Sequence, residues 1–295
     1  MTDTSQASLA GRVKPRRTKP AVGVMALRLG MSAVSRIAPD RAAAWLMTIF
    51  TTPRRHRVPE REVAWMAGAT RKWMAFDSKR RIPVYEWGEG PTVLLAHGFS
   101  GRASQMGAFV APLVDAGFRV VAFDAPAHGQ AEGKQTALPE MIDAIVDVAG
   151  VEGPLEAIVG HSLGAASAVF ALQAGVAAKK TVLIAPPDYP GTYLKKVARF
   201  VGASDRVEGR AQARIERTYG RAFEDLQVVP VARGMAQAAL VLHDAGDSQV
   251  PYASGRGVAE AWPDAELVTT EGLGHNRILR DPEVAARIVA FLTRD

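Results

Sequence analysis

The sequence predicts an α/β protein with a mostly parallel sheet of about eight strands, flanked by helices. The first observation behind this prediction is a series of short apolar runs, such as TVLLA at residues 92–96 and TVLIA at 181–185. Such runs are typical of strands that are buried on both faces. The second observation is that helix-like stretches separate these runs, and a parallel sheet requires this alternation.

The N-terminal region has a different character. Residues 1–20 are polar, basic and interrupted by prolines, which predicts a disordered basic arm. Residues 21–70 are predicted to form a helical extension that packs on the body, with helices at 21–37 and 41–50. Asp40, next to Pro39, is a good N-cap for the second helix. A signal peptide is an alternative, but the apolar part is short and no clean cleavage site follows it.

The body, residues 71–295, supplies the alternating elements. Two strands joined by the charged turn 77–81 begin it. The later strands are predicted at 92–96, 119–124, 155–160, 181–185, 238–244 and 265–270. Helices are predicted near 104–116 and 138–149, from Leu163 onward, and at 282–292.

Residues 186–235 interrupt this rhythm and predict a small helical cap. The interval lies between two predicted strands and is rich in arginine and aromatic residues. Its aromatic side chains favour an apolar or aromatic substrate group, although packing is the commoner role of such residues. The residues concerned are Tyr189, Tyr193, Phe200, Tyr219 and Phe223.

The basic charge is confined to the N-terminal region. Residues 1–60 hold 11 Lys and Arg against 3 Asp and Glu, a net charge of +8, whereas the other 235 residues hold 25 and 27, a net charge of −2. The body therefore has no basic face of the kind that a nucleic-acid-binding protein needs. The basic, amphipathic segment 12–57 permits peripheral contact with an anionic membrane. No stretch approaches the about 20 apolar residues that span a bilayer.

Three polar residues follow predicted strands and form a candidate catalytic triad. Ser162 lies in G-H-S-L-G, where the flanking glycines permit a tight turn. A serine nucleophile needs a base, and His275, on a glycine-rich turn after the last strand, meets that need. Asp247 follows strand 238–244 and would orient the histidine. Asp244 is a competing acid, but it lies closer to the strand and lacks the D-x-x-V-P context.

Residues 82–295 resemble the α/β-hydrolase superfamily. The shared landmarks are A-H-G-F (96–99), F-D-A-P-A-H-G (123–129), the G-x-S-x-G elbow (160–164), D-S-Q-V-P (247–251) and G-L-G-H (272–275). One departure is Ala127, where many relatives have glycine. The order Ser162, Asp247, His275 is also the order of the superfamily. The resemblance implies an oxyanion hole made by the backbone N–H groups of Phe99 and Leu163.

These residues predict a serine hydrolase that cleaves a carboxylic ester or related acyl bond of a small molecule through an acyl-enzyme. Acyl transfer by the same triad and a non-catalytic binding protein of this fold are the alternatives. The triad needs no cofactor, and the six histidines show no metal-ligand spacing, so we expect neither cofactor nor metal. With no cysteine to indicate an oxidising compartment, we expect a cytoplasmic protein, peripheral to the inner face of a membrane if the basic segment binds lipid.

Overall fold

The computed structural model describes residues 22–294, so the predicted arm at 1–20 lies outside the described residues. Eight strands form one sheet. They are β1 Thr70–Ala75, β2 Arg81–Trp87, β3 Thr92–Ala96, β4 Arg119–Phe123, β5 Leu155–His161, β6 Ala178–Ile184, β7 Ala238–Asp244 and β8 Ala265–Thr270. The strands predicted at 92–96, 238–244 and 265–270 have the observed bounds of β3, β7 and β8.

Twelve α-helices and three 3₁₀ helices are found among the described residues. The α-helices are α1 Val22–Ile37, α2 Pro39–Thr51, α3 Glu60–Trp65, α4 Val110–Asp115, α5 Leu138–Glu152, α6 Leu163–Gln173, α7 Pro190–Val201, α8 Asp205–Tyr219, α9 Val228–Ala232, α10 Tyr252–Ala261, α11 Gly274–Arg277 and α12 Pro282–Leu292. The 3₁₀ helices are Ala103–Phe109, Phe223–Leu226 and Ile278–Arg280.

The strand order is β1-β2-β4-β3-β5-β6-β7-β8. β1 pairs antiparallel with β2, and β2 with β4, whereas all other neighbours are parallel. This confirms the mostly parallel α/β sheet. The chain leaves β3 for β4 on one side and later returns to β5 on the other. Such a reversal opens a crevice at the carboxyl ends of β3 and β5, where ligands of open α/β sheets bind.

Helices bury both faces of the sheet. On one face, Ile142 of α5 and Phe170 of α6 are almost fully buried in a large apolar cluster. On the other, Phe109, Leu113 of α4 and Ile288 of α12 complete a second cluster. The central strands β3, β4, β5 and β7 are almost entirely buried because neither face meets water, whereas the edge strand β1 is mostly exposed.

The N-terminal helices pack mainly against the cap and form a third apolar cluster with it. Met31 of α1 and Leu46 of α2 are buried together with Leu194 of α7, Ile215 of α8 and Phe223. The observed cap helices α7, α8 and α9 lie in the interval predicted as a cap. Helices α1, α2, α7 and α8 thus form one helical layer, whereas α9 packs in the apolar cluster of α5 and α6. Across residues 22–294, no helix combines the length and the apolar character needed to cross a bilayer.

Several elements differ from the sequence prediction. Helix α2 begins at Pro39, so Asp40 lies in its first turn and is not the predicted N-cap, and α10 was not predicted. Strand β6 begins at Ala178, three residues before the predicted start, because Ala178 pairs with Leu155 and Lys180 Nζ donates to the Leu292 carbonyl (3.1 Å). Because the start of β6 contains two lysines, it does not appear in the sequence as part of an apolar run. Helix α3 was not predicted, since six residues are too few to show a helical period. A buried ion pair between Glu62 and Arg102 (2.7 Å) holds it on the body.

Candidate active site

Ser162 occupies a strained turn between β5 and α6. Its backbone angles are φ 53° and ψ −122°, a region that residues with a Cβ rarely adopt. Such a conformation costs about 1–3 kcal/mol and persists only where the surroundings enforce it. The Ser162 N–H donates to the Ile184 carbonyl (2.8 Å), and the Ser162 carbonyl accepts from the Ala165 N–H (2.9 Å). These contacts hold the side chain at the tip of the turn.

The flanking glycines are required by close packing rather than by positive φ. A Cβ at Gly160 would lie 2.6 Å from Ala165 Cα, so helix α6 can fold back onto β5 only without it. A Cβ at Gly164 would overlap the carbonyl oxygens of Ala96 and His97 at the end of β3. The close approach of α6 to two strands therefore explains the spacing of the G-x-S-x-G motif.

Two of the candidate site residues, His275 and Asp247, lie together. His275 Nδ1 is 2.7 Å from Asp247 Oδ2, and because an ionised carboxylate only accepts, Nδ1 carries the proton. Burial acts to raise the pKa of Asp247, but hydrogen bonds from His275 and from the backbone N–H groups of Gln249 and Val250 outweigh it and lower that pKa. The carboxylate is thus charged at neutral pH and suited to orient the imidazole.

Asp244 forms no hydrogen bond or ion pair with His275, whose partner is Asp247. It accepts hydrogen bonds from the Leu273 N–H (2.8 Å) and the Thr270 hydroxyl (3.0 Å) with Oδ2, and from the Gly246 N–H (2.9 Å) with Oδ1. These bonds tie the loop after β7 to the loop that carries His275. Burial opposes ionisation of Asp244, but the backbone N–H groups of Leu273 and Gly274 outweigh it and lower the pKa of this carboxyl. Asp244 therefore positions the histidine loop.

Ser162 and His275 line the same cavity, but no hydrogen bond joins Ser162 Oγ to His275 in the described part of the chain. Catalytic hydrogen bonds of enzymes without substrate are often long and tighten only when substrate binds. His161 connects the two sides instead, since its Nε2–H donates to the His275 carbonyl (2.9 Å). Burial and then the neighbouring His275 lower the pKa of His161 to about 3, so this ring stays neutral.

The backbone N–H groups of Phe99 and Leu163 face no competing acceptor among residues 22–294. Strand β3 ends next to β5, with Ala96 paired to Gly160, so the Phe99 loop and the Ser162 turn emerge side by side. A Cβ at Gly98 would lie 2.9 Å from Ser162 Cβ, which shows how closely the loop approaches the serine. Two free donors beside a candidate nucleophile are suited to bind a developing oxyanion.

Two neutral histidines shape the loops around this site. His97 Nε2 accepts from the Ala125 N–H (3.0 Å), and His128 Nε2 accepts from the Ser100 N–H (2.9 Å). Burial lowers the pKa of both rings, that of His128 to about 3. Asp124 has a similar role, since its Oδ1 accepts from the Ala103 N–H (2.8 Å).

Ala127, the departure from the superfamily pattern, has φ 66°, a conformation that favours glycine. The loop is tied to the N-terminal extension by Arg55, whose guanidinium donates to the Ala127 (3.3 Å) and Ala131 (2.7 Å) carbonyls. The extension therefore also contacts the body beside the candidate site.

Two cavities meet at Ser162. We call the first the polar cavity; it has a volume of about 650 Å³ and contains His275. Its other lining side chains include Arg61, Glu62, Gln105, His161, Asn276 and Arg280. The second, the apolar cavity, has a volume of about 560 Å³ and is lined by cap and extension residues that include Leu27, Ile49, Phe50, Val197, Phe200 and Ile215. Ser162, Phe99 and Tyr193 line both cavities, whereas Leu163 lines only the apolar one.

Four of the five cap aromatic residues singled out in the sequence line the apolar cavity, and Tyr189 packs edge-on against Phe223 instead. The contributions of α1 and α2 to this cavity had no signal in the sequence. Among the described residues, no group of three or more His, Asp or Glu side chains is placed to hold a metal ion.

Comparison with known proteins establishes the family. The sequence profile of the alpha/beta hydrolase family matches residues 93–288, and the chain belongs to this family. No curated protein sequence matches the chain significantly.

Solved structures share the fold at low sequence identity. An esterase from Pyrococcus furiosus superposes with a TM-score of 0.62 at 20% identity over 82% of this chain and 98% of its own. A bromoperoxidase from Bacillus anthracis superposes with a TM-score of 0.60 at 15% sequence identity, over 77% of this chain and 100% of its own. An esterase from Rhodococcus sp. ECU1013 superposes with a TM-score of 0.58 at 17% sequence identity, over 76% of this chain and 98% of its own.

Gly164→Ala tests the packing that creates the turn. The added methyl group would collide with the carbonyls of Ala96 and His97, and we expect the free energy of unfolding to fall by about 1–3 kcal/mol in urea titrations. Gly150→Ala is the matched control, because this glycine lies in α5 with no atom within 4 Å of the new Cβ. The control should gain up to about 1 kcal/mol. Equal stability of Gly164→Ala and wild type would contradict the packing argument.

Asp244→Asn tests the tie between the two loops through its pH dependence. A carboxyl whose pKa is lowered by folding stabilises the protein above its unfolded pKa, about 3.9, and this contribution is lost as the pH falls through the folded pKa. The stability gap between wild type and Asp244→Asn should therefore be largest near neutral pH and shrink below about pH 4. Asp115→Asn, on an exposed residue of α4, is the control and should show no such trend.

Proposed function

We propose that the protein is a serine hydrolase that cleaves a carboxylic ester or related acyl bond of a small molecule. One observation carries the proposal. The strained Ser162 lines the same cavity as His275, which is hydrogen-bonded to Asp247, and two backbone N–H groups without an acceptor lie next to the serine. The family of the chain and its esterase-like structural neighbours support it.

The proposed reaction begins when substrate brings the Ser162 hydroxyl to His275 Nε2, which takes its proton as Oγ attacks the carbonyl carbon. Asp247 stabilises the imidazolium. The Phe99 and Leu163 N–H groups bind the oxyanion, and one such donor contributes about 2.7–4 kcal/mol. His275 then gives the proton to the leaving group as its bond to carbon breaks. Water attacks the acyl-enzyme in the same way and releases the acid and free Ser162.

We assign the two parts of the substrate to the two cavities. His275 lines only the polar cavity, and the leaving group must lie within reach of His275 to receive its proton. The leaving group therefore belongs in the polar cavity and the acyl group in the apolar cavity. An apolar acyl chain there would contact the cap and helices α1 and α2. This gives the N-terminal extension a role in substrate binding, while membrane contact and a cytoplasmic location stay predictions.

Ser162→Ala tests the nucleophile. We expect hydrolysis of p-nitrophenyl esters to fall by about 10⁴- to 10⁶-fold in kcat, because the variant cannot form an acyl-enzyme. Labelling by a fluorophosphonate should also disappear, whereas Ser35→Ala, a helical serine outside both cavities, should behave as wild type. Labelling of wild type without hydrolysis would favour acyl transfer. If wild type is neither labelled nor active, the non-catalytic binding protein is favoured.

Phe50→Ala tests the acyl assignment. Removing this ring from α2 enlarges the apolar cavity, and we expect the preferred p-nitrophenyl ester to lengthen by about two to four methylene groups. The ratio of kcat/KM values across chain lengths is the measurement, since it does not depend on the amount of folded enzyme. Ile37→Ala, 85% exposed and outside both cavities, is the control. An unchanged chain-length profile in Phe50→Ala would argue against this placement of the acyl group.

A further inference from the structure

The polar cavity carries an excess of positive charge that the proposed chemistry does not use. Arg61 and Arg280 line it, and neither forms an ion pair with another described residue. The single carboxylate among the lining side chains is Glu62. Its charge is already matched by Arg102 (2.7 Å), and its Oε2 also accepts from the Ser104 hydroxyl (2.8 Å). Two cations thus face the cavity without a partner.

The exposed side chain of Arg61 projects from α3, and the backbone of this helix is anchored to the body. The Glu62 side chain next to Arg61 is 6% exposed in its ion pair with Arg102. Trp65, one turn further along the helix, packs against the 3₁₀ helix at Gly107, where a Cβ would lie 2.6 Å from Trp65 Cβ. Helix α3 therefore contacts the body through the buried Glu62 and the half-buried Trp65, and Arg61 next to Glu62 lines the cavity.

Arg280 is held on the other wall, close to the base. It ends the 3₁₀ helix Ile278–Arg280, which directly follows the α11 turn that contains His275. Ile278 and Leu279 are buried in the apolar cluster beneath the sheet face, at 0% and 4% exposed. Both arginines therefore belong to packed segments on the His275 side of Ser162, the side assigned to the leaving group.

We propose that the leaving group of the substrate is anionic and that Arg61 and Arg280 bind its negative charge. The inference rests on the proposed function, because it extends the substrate of that same site. A guanidinium binds a carboxylate, sulfonate or phosphate through paired N–H donors and stays charged at all relevant pH values. The substrate class is thus an ester or thioester with an apolar acyl chain, whose alcohol or thiol leaving group carries a carboxylate, sulfonate or phosphate.

A pair of octanoate esters that differ by one charge tests the proposal. The neutral ester is 2-nitrophenyl octanoate, and the anionic ester is 4-octanoyloxy-3-nitrobenzenesulfonate, which adds one sulfonate to the same ring. In the double variant Arg61→Gln/Arg280→Gln we expect kcat/KM for the anionic ester to fall by about 10- to 100-fold, mainly through KM, and that for the neutral ester by less than about 2-fold. In wild type, added salt should selectively weaken turnover of the anionic ester.

Arg217→Gln is the matched control, since this exposed arginine of α8 lies outside both cavities. Octanoyl-coenzyme A and octanoyl-N-acetylcysteamine repeat the comparison with a phosphate-bearing leaving group. A charge-selective loss in either pair supports the proposal. Equal effects on charged and neutral members of both pairs overturn it while leaving the hydrolase intact. If wild type hydrolyses none of these substrates and is not labelled by a fluorophosphonate, the proposed function fails and this inference fails with it.

Discussion

The contact between the start of α6 and the end of β3 is the constraint on which the rest of the site depends. Gly164 lies so close to the carbonyls of Ala96 and His97 that no Cβ fits between them. The helix can therefore begin only after a very sharp turn. Because Ser162 forms this turn, its backbone adopts a positive φ. The same contact brings the Phe99 loop beside the serine. Backbone packing thus brings the candidate nucleophile and both candidate oxyanion donors together.

The His275 side of the candidate site depends on two aspartates that make different contacts. Asp247 contacts the imidazole, whereas Asp244 fixes the loop that carries it through Leu273 and Thr270. His161 joins the two sides, because it follows Gly160 in β5 and donates to the His275 carbonyl. A neutral, buried ring can serve as such a link without disturbing the charge balance of the pair beside it.

The helical layer above the sheet gives the site its two unlike cavities. The cap alone does not enclose the apolar cavity, because α1 and α2 supply part of its wall and share an apolar cluster with α7 and α8. The polar cavity is bounded instead by α3 and by the segment after His275. A substrate that spans both cavities across Ser162 would be amphiphilic, and this links the N-terminal extension, the cap and the arginines to one substrate class.

The sequence by itself determined the sheet and the identity of the candidate triad. Buried parallel strands appear as continuous apolar runs, and these runs predicted the first and last residues of β3, β7 and β8 correctly. The sequence also indicated Ser162, Asp247 and His275, because each lies in a short turn motif that neighbouring residues define. Only the tertiary structure decided that Asp244 serves the loop, that the extension packs on the cap, and that Arg61 and Arg280 face one cavity. These are contacts between residues far apart in the chain, and packing, which a local pattern does not record, selects among them.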